Sequence, residues 1–321
     1  MKDRCVTCAR SPRAILWLAV VLVLAAGSLS FASESSVELQ SSHFGLEVPV
    51  ENRRLGEQIL PLAESARQTA LEQMPSTMCE HVALIWCPTA REFSSRLGGR
   101  GGHLLAAASP PRLQIYLNGE RLLRLDRGRF RQALVHEFVH IYLGRVVRDP
   151  IPRWLDEGLA MYVARQWSLS DAAALSANSL FGGLFSPKQL ARDFPREPTA
   201  QRRAYRQSYS MTAFLLHLRY PTGGVQDLVS DLAGSPTNGA SALRSLLSDP
   251  QWLADFDRQW RQRWVRRGRL VLLLTSSGTF WLLVTFLFLA AYARKRRSRR
   301  QREIRWAFEE EFSYHDDGFD D

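Results

Sequence analysis

Residues 136–140 read His-Glu-Phe-Val-His within an apolar pattern of helical period that runs from Arg129 to Val147, and this pentapeptide dictates much of what must surround it. On a helix, side chains four residues apart lie on one face, about 6 Å apart at their Cβ atoms. Two imidazoles so placed can each bring a nitrogen to roughly 2.0–2.1 Å from one zinc ion. Glu137 then projects beside the ion, where it can take a proton from zinc-bound water and hand it to a leaving amine. A catalytic zinc also needs a third protein ligand and an open position. The fold must therefore press a second element against this helix.

The third ligand is sought in the segment that follows. Pro150 and Pro152 break the chain, and Trp154-Leu155-Asp156-Glu157-Gly158-Leu159-Ala160 predicts a second helix with Glu157 in its first turns. Sixteen residues separate His140 from Glu157, enough for the end of one helix, a turn and an antiparallel return. Asp156 is the rival carboxylate, but it points about 100° away from Glu157 around the helix. Gly158 and Ala160 predict close approach of these two helices. The expected metal set is His136, His140 and Glu157, with Zn2+ as cofactor.

Together these two segments resemble the gluzincin metallopeptidases, especially the peptidase MA-like domains and more distantly the aminopeptidase N group, over roughly residues 53–220. The resemblance implies zinc on His136, His140 and Glu157, with Glu137 as general base. It extends to residues 204–223, which are similar to the family helix that begins with a tyrosine and runs into an apolar stretch. Aminopeptidase N enzymes carry Tyr-x-Lys-Gly there, and Tyr205-Arg206-Gln207-Ser208 stands in its place. Tyr205 is the candidate donor to an oxyanion, and Tyr209, one turn later, is the alternative. The interval from His140 to Glu157 is shorter than in aminopeptidase N, and no Gly-x-Met-Glu-Asn element for gripping a free amino terminus is present. The expectation is thus an endopeptidase that lays an extended peptide or protein substrate beside the strand at 113–117. The alternative is a catalytically inactive zinc-binding scaffold domain.

Elsewhere the pattern predicts a helix over 51–74 that is interrupted or begins at Pro61, and a strand over 82–86. A short helix over 89–97 capped by Thr89, a glycine loop at 98–102, and a strand over 113–117 ended by Asn118-Gly119 follow. Strands first and helices afterwards indicate an α+β domain with a small sheet, expected over 53–260 after a polar linker at 33–52.

The net charge of +10 points first to nucleic acid, but its distribution argues otherwise. The segment before the first apolar run carries +3, the five arginines between 261 and 269 carry +5, and residues 293–321 sum to zero. About +2 is left for residues 33–260, with no basic stripe interleaved with aromatics, so no nucleic-acid partner is expected. Residues 14–26 are uncharged behind a basic segment, and Ser30-Phe31-Ala32 suits cleavage, so 1–32 reads as a signal peptide or signal anchor. Residues 270–293 are long and apolar enough to predict a transmembrane helix, flanked by a basic juxtamembrane segment at 261–269 and by the basic block 294–300. The expected product is a single-pass (type I) or double-anchored membrane protein. Its catalytic domain is periplasmic or extracellular, and its tail, 294–321, is cytoplasmic and able to dock a partner there. Cys79 and Cys87 flank a predicted strand that holds them too far apart to pair.

Overall fold

Strands β1 (Ser36–Gln40), β2 (Phe44–Pro49), β3 (Val82–Cys87), β4 (Ala106–Ser109) and β5 (Gln114–Asn118) form one sheet in the spatial order β1-β2-β3-β5-β4. The computed structural model describes residues 36–99, 101–234, 241–275 and 277–313. The outer pairs β1–β2 and β4–β5 are antiparallel, whereas β2–β3 and β3–β5 are parallel. Alternation along the strands splits their side chains between two cores. Val82, Leu84, Trp86, Ile115 and Leu117 enter the main core, while Cys87 and Tyr116 join Phe93 in a small cluster. Cys79 and Cys87 are both free thiols.

Helix α1 (Arg53–Leu71) packs on β2, and α2 (Ala90–Arg96), capped by Thr89, supplies Phe93 to the small cluster. The short α3 (Gly119–Leu122) leads into α4 (Arg127–Val146), whose N-cap Asp126 accepts from the Arg129 amide. Helix α4 buries residues on every side, because it lies between the sheet layer and the helices that follow. These are α5 (Arg153–Val163), α6 (Leu169–Leu180), α7 (Pro187–Arg192), α8 (Pro198–Arg219), α9 (Gly224–Ala233), α10 (Ala242–Ser248), α11 (Pro250–Thr275) and α12 (Ser277–Ser313). Trp260 and Trp264 of α11 both donate their indole N–H to Ser210 Oγ of α8, at 3.0 and 2.6 Å, and so lock the two helices together.

The α+β architecture agrees with the sequence reading, and three details differ from it. Residues 36–49, expected as linker, pair as the β1–β2 hairpin. Phe44, Leu46 and Val48 alternate into the core, and Ser41 and His43 of the turn bind Glu64 of α1. Helix α1 runs through Pro61 without a break. The strand at 113–117 is an interior strand: Leu113 lies outside it in a left-handed conformation, and the free edge belongs to β4. Of the apolar stretch, residues 270–275 lie in α11 and residues 277–293 in α12. Among the described residues no helix is long and apolar enough to cross a membrane. The signal segment 1–32 and residues 314–321 lie outside the described residues.

Candidate active site

Helices α4 and α5 build the site between them. His136 and His140, one turn apart on α4, meet Glu157 from the second turn of α5, and these three side chains form a group able to hold a metal ion. The two Nε2 atoms are 3.2 Å apart, and Glu157 Oε2 lies 3.5 Å from each of them. A tetrahedral zinc with bonds of roughly 2.0–2.1 Å has ligand atoms about 3.3 Å apart, so the spacing of the three donors suits that ion.

The outer nitrogens explain why the inner ones are free to bind. His140 Nδ1 donates to Asp156 Oδ1 at 3.0 Å, since an ionised carboxylate can only accept. His136 Nδ1 lies 3.0 Å from Gln166 Oε1, and the amide nitrogen of Gln166 donates to the Gln132 carbonyl at 3.3 Å. Each ring therefore keeps a proton on Nδ1 and turns Nε2, the atom a metal would take, towards its neighbour. Two ring nitrogens and a carboxylate oxygen converge, an arrangement that a metal ion would satisfy by displacing any proton held among them.

Charge at the site follows from the same contacts. Burial alone would lower the His140 pKa, but Asp156 and Glu157 outweigh it and raise it well above the ordinary imidazole value. Burial alone would raise Glu157, and the two imidazoles outweigh that in turn and hold its carboxylate ionised. Glu157 Oε1 also lies 3.5 Å from Arg153 Nε. Glu137 is different: burial is its dominant influence and raises its pKa in spite of the adjacent histidines. A carboxylate that holds a proton more readily than usual is suited to proton transfer.

These residues face a cleft of about 620 Å³, whose lining includes Glu137, Tyr205 and residues Ala106, Ala107 and Ala108 of the β4 edge. Tyr205 enters from α8, with its ring 5.2 Å from that of Phe194. Burial pushes its phenol pKa up, so the hydroxyl stays protonated and able to donate. Tyr209 points elsewhere, stacked flat on Trp167 with ring centroids 4.5 Å apart. Of the two tyrosines, only Tyr205 lines the cleft.

Residues 116–263 match the model of the Peptidase MA superfamily. The chain carries a gluzincin-like peptidase MA domain. The match begins in β5 and takes in α4, α5 and α8, the helices that supply His136, His140, Glu157 and Tyr205. No curated protein matches the chain.

Several features of this peptidase MA domain were not anticipated by the sequence reading. Asp156 does lie off the Glu157 direction, and that offset carries it to the outer nitrogen of His140. Gln166 was not singled out, because only a turn at the end of α5 brings it back to His136. Gly158 serves a different interface from the one expected. A Cβ there would lie 2.1 Å from Thr212 Oγ1 and 2.5 Å from the Ser208 carbonyl, so the glycine admits α8 rather than α4.

Proposed function

We propose that the protein is a zinc-dependent metallopeptidase, with Glu137 as general base and a preference for internal peptide bonds. The observation that carries this reading is the triangle of His136, His140 and Glu157 opening beside a buried glutamate in a cleft. His136, His140 and Glu157 fit a zinc ion by donor type and spacing. When bound, zinc there would polarise a water molecule and the scissile carbonyl.

The chain's own residues do the rest. Strand β4 is an edge of the sheet and lines the cleft, so an extended peptide can add beside it as a strand. Glu137 takes a proton from the attacking water and returns it to the departing amine, a task that its raised pKa favours. Tyr205 donates its hydroxyl hydrogen towards the developing oxyanion. Leu104, Leu105 and Met161 give the cleft apolar walls.

Glu137→Gln keeps the shape of the site and removes the base. It is expected to retain zinc while hydrolysis of a broad peptide library falls at least about 10²-fold. Unchanged turnover overturns the role of Glu137, and a wild-type protein that binds zinc without cleaving any peptide favours an inactive scaffold instead.

We further infer that the protein is held at a membrane with its peptidase domain outside the cytoplasm. The support is the apolar run 270–293 with its basic flanks, together with the exposure of Phe280, Trp281, Leu282, Phe286 and Phe288 on α12. The full chain is expected to stay with the membrane fraction through an alkaline carbonate wash, and its release into the wash contradicts the tether.

A further inference from the structure

We propose that Gln166 is a positioning residue for His136, delivered by the C-terminal turn of the same helix that carries Glu157. The inference rests on the metal-site reading above and adds to it a determinant outside the three ligands.

Helix α5 ends in a double-bonded turn. The Gln166 amide donates to the Met161 carbonyl at 2.9 Å, and the Arg165 amide donates to the Tyr162 carbonyl at 3.1 Å. This 6→1 and 5→2 pair is the Schellman arrangement, which requires its penultimate residue to be left-handed and usually places glycine there. Here Arg165 takes that conformation, with φ of 54°. The turn reverses the chain so that Gln166 reaches back to α4, where its Oε1 meets His136 Nδ1 at 3.0 Å and its Nε2 meets the Gln132 carbonyl at 3.3 Å.

The second of those contacts decides what the first does. With Nε2 committed to a carbonyl, the amide oxygen is the atom presented to His136. The imidazole must then hold its proton on Nδ1 and leave Nε2 free for a metal. Helix α5 thus fixes both rings: Asp156 near its start orients His140, and Gln166 just past its end orients His136. A shift of α5 along its axis would move Glu157 and both orienting groups together.

The test measures zinc affinity of the full chain by chelator competition, and the His136 tautomer of the metal-free protein by ¹⁵N NMR. Gln166→Ala is expected to weaken zinc binding about 10- to 100-fold and to release the Nδ1–H preference of His136. Gln166→Glu preserves the acceptor and is expected to keep both properties. Arg165→Gly suits the left-handed turn and keeps them too, whereas Arg165→Val, whose branched side chain resists that conformation, loses them in part. Thermal unfolding of the metal-free variants checks that the fold persists. Wild-type affinity and tautomer in a folded Gln166→Ala overturn the positioning role. Absence of zinc from the wild type overturns the metal reading itself, while an unchanged tautomer in Gln166→Ala overturns the present inference alone.

Discussion

His136 and His140 turn their Nε2 atoms towards each other across 3.2 Å, with the rings edge to face at 77°. Two imidazoles that each held only the outer proton would oppose such an approach, whereas a proton or a metal ion held between the facing nitrogens relieves it. The outer hydrogen bonds to Gln166 and Asp156 enforce it, and Glu157 adds a third acceptor at 3.5 Å from both. The polypeptide thus holds in place an arrangement that a divalent cation completes.

The position of Tyr205 in the cleft, with Tyr209 stacked away on Trp167, separates two residues one turn apart on α8. Tyr205→Phe is expected to lower kcat about 10²-fold with little change in KM, as for loss of one oxyanion donor. Tyr209→Phe should leave both constants at wild-type values. Steady-state kinetics on a single peptide substrate decide it, and equal effects of the two substitutions contradict the assignment.

Glu64 ties the β1–β2 turn to α1 through Ser41 Oγ at 2.7 Å, the His43 amide at 2.8 Å and the His43 ring at 2.9 Å. Burial alone would raise its carboxyl, but these hydrogen bonds outweigh it and hold the pKa below the ordinary value. A depressed carboxylate contributes stability that is fully present above its unfolded pKa of roughly 4.3 and is lost as pH falls through the folded one. Glu64→Gln should therefore cost more stability at neutral pH than at pH about 3, as read by denaturant unfolding at both. An equal cost at the two values contradicts this coupling.

What the sequence could reveal followed from how local each signal was. The pair His136 and His140 was legible because metal spacing on a helix is a matter of four residues. Glu157 was legible because the prolines at 150 and 152 mark where the second helix must start. Strand β4 was not: Ala106-Ala107-Ala108-Ser109 has weak strand preference and becomes a strand through pairing with β5. The β1–β2 hairpin did carry alternation in Phe44, Leu46 and Val48, but the polar residues of an edge strand masked it. Gln166 was beyond reach because its role depends on a left-handed arginine, a conformation that composition does not announce. The apolar run 270–293 was legible as hydrophobic because an uncharged stretch is read directly from composition.

The most direct test of the central claim is the zinc content of the purified full-length protein, compared with His140→Ala and Glu157→Ala. The account predicts one zinc per wild-type chain and substoichiometric zinc in both variants, each still folded by circular dichroism. Full zinc occupancy in a folded Glu157→Ala, or none in the wild type after loading, contradicts it.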